Sequence, residues 1–299
     1  MMSMPNPSRK SWFEATARER VDGLLDRGSF NEFLRPEDST PSKHLASLDI
    51  AGAFDDGVVI GKGALNGKMV FLAAQEGQFM GGAVGETHGA KIVGLLKKAV
   101  QEKPSAVLLM VDSGGVRLHE ANAGLIAISE IMRAVLDVRA EGIPVVALVG
   151  GTCGAFGGMG IVTCLCSAIV MSEEGRLALS GPEVIETVAG VEEFDSKDRA
   201  LVWRVTGGKN RFLMGDAALL VDDDIPAFRE AAQQAIGLDP VLTIEKLLAD
   251  QQRLEQRQAL FGTFKDGLEV WRELGVTDPQ SVPMLDIADM RTLKKGLPA

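Results

Sequence analysis

Two unbroken apolar runs, AVLLMV at 106–111 and PVVALV at 144–149, constrain this chain more than any other feature. A strand with one face in water alternates polar and apolar residues. One that is apolar throughout must be buried on both faces, as in a parallel sheet covered by helices. Each run leads into a glycine-rich turn and then a helical pattern, the first over about 123–139. A shorter run at 168–171 reads as a third strand. Strand, glycine turn and helix, repeated, spell right-handed β/α crossovers.

Ahead of these units, 58–65 and 68–74 are β-rich and separated by Asn66-Gly67, the pair best suited to a two-residue hairpin turn. After Gly81, Gly82 and Gly85, an amphipathic helix is marked by Ile92, Leu95, Leu96, Ala99 and Val100. A hairpin followed by short β/α units predicts an α/β fold of the ββα-superhelix type. A dinucleotide-binding sheet is disfavoured, because no GxGxxG with a downstream ribose-binding acid follows the first strand.

Three segments follow: an N-terminal helix and linker (1–43), a main domain (44–238) and a C-terminal helical extension (239–299). Residues 1–10 read as a disordered lead-in. Ser11 with Glu14 predicts a capping box for a helix carrying Trp12, Phe13, Val21, Leu24 and Leu25 and closed by Gly28. The Pro/Ser-rich stretch 35–43 reads as linker. The Gln-rich pattern 240–261 carries a narrow stripe of Leu247, Leu248, Leu254 and Phe261, suited to packing on its own domain or another subunit.

The 31 Lys and Arg against 41 Asp and Glu give a charge of −10, which argues against a nucleic-acid or membrane-surface binder. Cys153, Cys164 and Cys166 cannot form a disulfide framework, so a reducing, cytoplasmic setting is expected. The first residues lack a secretory pattern, and the apolar runs are far shorter than a membrane span. With 34 glycines and no tyrosine, the core must be aliphatic, with many close backbone approaches.

The two glycine turns, DSGGVRLHE at 112–120 and GGTCGAFGGMG at 150–160, carry the chemistry. Backbone N–H groups at a loop-to-helix junction lack intrahelical partners and face the positive end of the helix dipole. Two such turns on adjacent strands can aim donors at one carbonyl oxygen, making an oxyanion hole. The candidate donors are Gly114, Gly115 and Val116 in the first turn and Gly157 and Gly158 in the second. His119 is the nearby acid–base candidate, while His88 and His44 read as surface residues. Ser113 mimics a peptidase nucleophile in the wrong context, between a buried strand and a helix. Cys164 and Cys166 read as buried packing. Arg199, Arg204, Lys209 and Arg211 form a local basic cluster, either a solvated helix face or a contact for phosphates or an acidic carrier. Gly158→Val is expected to spare folding, as is charge reversal at Arg204 and Lys209.

The run DSGGVRLHE resembles the SGGAR-type element of the carboxyltransferase family, and GPEVIE at 181–186 and GGAVGETHGAKI at 81–92 are similar to two further segments of it. Within that family, SWFEATARERVDGLLDRGSF and FDSKDRALVWRVTGGKNRFLMGD (194–216) resemble malonate decarboxylase β subunits. The resemblance implies a crotonase-like ββα superhelix and decarboxylation of malonyl-S-[acyl carrier protein] to the acetyl thioester and CO2. It implies as partners a γ subunit of the same fold, an acyl carrier protein and an acyl carrier transferase subunit. The acyl group would ride on the carrier's phosphoribosyl-dephospho-CoA arm, with no cofactor bound covalently here. No structural zinc is expected, since nothing before Cys153 supplies the ribbon cysteines of the related acetyl-CoA carboxylase β subunit. Alternatives are the carboxyltransferase β subunit of a biotin-dependent system, a CoA-ester hydratase or isomerase using Glu183 and Glu186, and a non-catalytic scaffold.

Overall fold

A seven-stranded sheet with its strands in chain order frames the computed structural model, which describes residues 10–297. The strands are β1 (Asn31–Glu32), β2 (Val58–Leu65), β3 (Lys68–Gln75), β4 (Ala106–Val111), β5 (Val145–Val149), β6 (Ala168–Ser172) and β7 (Leu219–Val221). Strands β1 to β3 pair antiparallel and β3 to β7 parallel. The predicted hairpin is present, with Asn66 and Gly67 both at positive φ (52° and 74°) as a tight primed turn requires.

The helices are α1 (Ala17–Leu24), α2 (Lys43–Ser47), α3 (Glu86–Glu102), α4 (Asn122–Ala140), α5 (Gly157–Cys164), α6 (Pro182–Ala189), α7 (Arg199–Thr206), α8 (Gly208–Leu213), α9 (Ile225–Ile236), α10 (Ile244–Phe261), α11 (Gly267–Glu273) and α12 (Ile287–Gly296). The continuous apolar runs split as a doubly covered sheet demands. Val107, Leu109 and Val111 join a core with α3, α4 and α5, while Ala106, Leu108 and Met110 join a second core with α1 and α9.

A short second tier distinguishes the fold. Between each long strand and its helix the chain makes one more β-type contact: Val84 with Val116, Ser113 with Ala155, and Ala155 with Leu177. Each turn of the chain is therefore long strand, short bridge, helix. This is the ββα superhelix that the sequence resemblance implies.

The N-terminus departs from expectation. The capping box is Thr16 with Glu19, and α1 starts at Ala17 rather than near Ser11. Asp223 outcompetes the helix for the earlier residues, accepting from Ser11 Oγ (2.5 Å) and Phe13 N (2.8 Å). Helix α1 ends at Leu24, and Gly28 serves a later turn at φ 72°. Nine residues of the expected lead-in lie outside the described residues. The 35–43 stretch contains a 3-10 turn at Pro36–Asp38. At the other end, α10 buries no residue, whereas Trp271, Val282 and Met290 return to the core. Among the described residues no helix is long and apolar enough to cross a membrane.

Two glycines separate backbone strain from crowding. A Cβ on Gly67 would touch nothing within 4 Å, but one on Gly208 would lie 2.0 Å from Ser172 O. Urea titration should therefore show Gly67→Ala losing about 1–2 kcal/mol, the cost of a left-handed alanine. Gly208→Ala should lose more, or fail to fold.

Candidate active site

The first glycine turn is interlocked with the 81–92 segment. Gly114 N–H donates to Gly81 O (2.8 Å), Val84 N–H to Gly115 O (2.9 Å) and Arg117 N–H to Val84 O (2.9 Å). Backbones pack so closely here that a Cβ on Gly82 would sit 1.7 Å from Asp112 O. Beneath the turn, the buried Arg117 guanidinium bonds Asp56 Oδ2 (2.8 Å), Glu120 Oε1 (2.9 Å) and the carbonyls of Ala83 and Asp56. Glu120 Oε2 in turn accepts Glu86 N–H (2.7 Å) at the start of α3. Two of the sequence motifs thus meet in one buried network.

The second turn lies directly against the first. Ser113 N–H donates to Gly154 O (2.7 Å), and Phe156 N–H to Ser113 O (2.9 Å). A Cβ on Gly157 would come 3.1 Å from Gly115 Cα, so the two glycines meet nearly backbone to backbone. Asp112 ties the turns together: buried among their backbones, its Oδ1 accepts Cys153 N–H (2.6 Å) and its Oδ2 an Arg20 N–H (2.9 Å). Burial pushes its carboxyl pKa up, against the pull of Arg20.

Bond accounting narrows the five candidate donors. Gly114 N–H is taken by Gly81 O, Gly115 N–H by Ser113 Oγ (3.2 Å), and Gly157 N–H by Leu179 O (2.9 Å). Val116 and Gly158 have no acceptor for their N–H groups among the described residues. Gly158 is the second residue of α5, in the first turn, where intrahelical acceptors are lacking. The two turns touch, and each carries one candidate N–H without an acceptor among the described residues.

Other expectations change. Gly158 is no silent position, since a Cβ would meet Ile128 Cγ1 at 2.6 Å and press on the core of α4. Gly158→Val therefore strains the fold as well as the site. His119 is exposed on a 3-10 turn before α4. The basic cluster dissolves: Arg204 forks onto Asp266 (2.8 and 2.7 Å), Lys209 is buried against Glu173 (2.8 Å) and Pro283 O, and Arg211 reaches Asp216 (3.2 Å). Charge reversal at Arg204 or Lys209 would bring like charges together inside the protein. Arg199 alone of the four has no carboxylate partner among the described residues, and lies over the Trp203 ring.

Ser113 is buried with its Oγ on the Gly115 backbone, which removes it as a nucleophile. Glu186 accepts from Ser196 N and Oγ, and Glu183 is exposed, so the two form no acid–base pair. Cys166 is buried as expected, but Cys164 is exposed. His88 is the largest reversal: it is fully buried, with Nδ1 3.0 Å from Asp56 O and Nε2 3.0 Å from the Gln75 amide. His44 is exposed, 2.8 Å from Glu86. Beside the turns, Leu118 (84% exposed) and Leu179 (68%) are exposed apolar side chains, and Ile126 (62%) and Val188 (83%) are exposed on α4 and α6.

A carboxyl transferase domain model matches residues 13–229. The chain is 40% identical to the malonyl-S-ACP:biotin-protein carboxyltransferase of Malonomonas rubra, over 97% of both chains. It is 34% identical to the methylmalonyl-CoA carboxyltransferase 12S subunit of Propionibacterium freudenreichii, over 58% of this chain and 32% of that one. It superposes with a TM-score of 0.82 on a chain of a Pseudomonas malonate decarboxylase hetero-tetramer solved with malonate, at 40% identity, covering 89% of this chain and 98% of that one.

Burial lowers the His88 pKa to about 3 from 6.5, helped by the positive charges of Arg117 and Lys91. Between those two values the unfolded chain holds a proton that the folded chain does not, so stability must fall as pH drops below about 6.5. The slope approaches about 1.4 kcal/mol per pH unit for this residue. Urea midpoints measured from pH 7 to pH 5 should show that slope, and His88→Gln should flatten it by close to one proton.

Proposed function

The chain belongs to the carboxyl transferase family, and on that footing we propose that it is the β subunit of a malonate decarboxylase. Its substrate is malonyl-S-[acyl carrier protein], carried on a phosphoribosyl-dephospho-CoA arm. Its partners are a γ subunit, the acyl carrier protein and an acyl carrier transferase subunit. The unpartnered N–H groups of Val116 and Gly158, on turns whose glycines touch, are the observation that carries this reading.

Cleavage of the malonyl C–C bond releases CO2 and leaves its electron pair on the acyl fragment. Those electrons become tolerable only if the thioester oxygen takes the charge, as an enolate. A proton delivered to the carbon then gives the acetyl thioester. The chain supplies what that step needs, fixed donors where charge develops, which require no reorganisation when the bond breaks. The exposed apolar side chains of Leu118 and Leu179 at the rim of the turns fit a surface that another subunit covers.

A second reading is favoured by one observation, the relative from Malonomonas rubra, whose name describes carboxyl transfer to a biotin protein. Under it the carboxyl group leaves for biotin and not as free CO2, and the same enolate is held by the same amides.

One measurement separates these readings, and a second tests the amide site they share. Malonyl-thioester decarboxylation by the complex should be unaffected by avidin and absent when either this chain or the γ subunit is omitted. Avidin inhibition would favour the biotin route, and activity of the partner alone would make this chain a scaffold. Replacing the Gly115–Val116 peptide by an ester, through the α-hydroxy acid analogue of valine at position 116, removes one N–H and leaves the side chain. It should lower kcat about 10²- to 10³-fold, the usual cost of one oxyanion donor. A threefold change or less would remove Val116 from the site.

A further inference from the structure

The N-terminal arm touches both glycine turns, although it lies almost a hundred residues before the first. Arg20, in α1, is buried, and each of its nitrogens has an acceptor. Nε donates to Trp12 O (2.9 Å), Nη2 to Phe13 O (3.5 Å) and Nη1 to Asp112 Oδ2 (2.9 Å). The Trp12 ring stacks on Phe228 with centroids 4.1 Å apart. Those two rings occupy the space beside Gly150, where a Cβ would lie 2.8 Å from Trp12 and 2.7 Å from Phe228. The second turn thus leaves β5 directly over the arm.

Asp112 relays the contact. Its carboxylate fills the Cβ position of Gly151, 2.2 Å from that point, and crowds Gly77 at 2.7 Å. It holds Cys153 N–H in the second turn while standing at the head of the first. Any movement of this carboxylate shifts one turn against the other. A fork with three acceptors fixes the carboxylate more tightly than a single ammonium could.

We propose that Arg20 and Asp112 are positioning residues for the amide site: through this buried ion pair the N-terminal arm sets the spacing between the Val116 and Gly158 N–H groups. The proposal rests on the amide-site reading above. A misplacement of about 1 Å at a reacting centre can cost about 10²-fold in rate. That loss would fall on kcat, because the substrate arm and the partner surface are untouched.

The test uses Arg20→Ala, Arg20→Lys and Asp112→Asn in the assembled complex, with ¹⁵N spectra of the full chain alone. The expected result is a chain that assembles normally, with kcat lowered about 10- to 100-fold and KM within threefold. Guanidinium at millimolar concentration should restore kcat to Arg20→Ala, and equal sodium chloride should not. Arg20→Lys should stay impaired, because it keeps the charge and loses the fork. The Val116 and Gly158 amide resonances should both move in Asp112→Asn.

A folded Arg20→Ala or Asp112→Asn with near-normal kcat and unmoved Val116 and Gly158 resonances would overturn the proposal. If Arg20→Ala does not fold, the nearly isosteric Asp112→Asn decides alone. If the wild-type complex does not decarboxylate malonyl thioesters, the functional reading falls instead. The spectra then still decide the positioning claim: shifts at Val116 and Gly158 sustain it, and shifts confined to Cys153 sink it.

Discussion

The carboxylate of Asp112 is the point on which the two glycine turns depend. A carboxylate taken out of water must be compensated by charge and hydrogen bonds or else bind a proton. Here the compensation comes from far away in sequence, a guanidinium from α1 and an amide from the turn after β5. Replacing such a pair with well-packed apolar groups is often neutral or stabilising, whereas removing one partner typically costs about 3–5 kcal/mol. Net stability is therefore a poor reason for its presence. Orientation is a better one, since the pair holds three backbone segments at separations where Gly77 and Gly151 have no room for a side chain.

Arg117 does similar work on the other side of the first turn. Its bonds to Asp56 and Glu120, with Glu120 capping α3, bind the 81–92 segment under the turn. Gly85 belongs to the same arrangement, because a Cβ there would strike Glu120 at 2.5 Å. The glycine abundance is thus explained locally. Most of the glycines in these segments make room for a neighbouring backbone or a buried charge, and of the five candidate donors Val116 and Gly158 are the two whose N–H groups have no acceptor among the described residues.

The strands were legible because burial on both faces leaves a contiguous apolar signature, and the hairpin because Asn-Gly is the pair best suited to its positive φ angles. Side-chain partnerships were not legible. Arg20 and Asp112 are 92 positions apart and Arg117 and Asp56 are 61, and no local pattern announces either pair. The basic cluster misled for the same reason, since proximity in sequence says nothing about Glu173, Asp216 or Asp266 arriving from other elements. His88 looked like a surface residue because its helix face is set by tertiary contacts with Asp56 and Gln75. That the two turns lie side by side was legible, but which amides stay free depends on acceptors such as Gly81 O and Leu179 O, whose positions only the fold fixes.

The apolar rim gives the amide pair its chemical context. In water an amide dipole gains little from an enolate, because solvent competes for both. Inside a covered site the same contact strengthens several-fold as the effective dielectric falls. On the proposed reading the donors are the Val116 and Gly158 amides, and Leu118 and Leu179 stand exposed beside their turns. Helix α10 adds Ile244, Leu247, Leu248 and Leu254, likewise exposed. A subunit seated on this rim would bury apolar surface and exclude water from Val116 and Gly158 in the same event. Assembly and catalysis would then be coupled through desolvation, and an isolated chain would be inactive with its donors already in place.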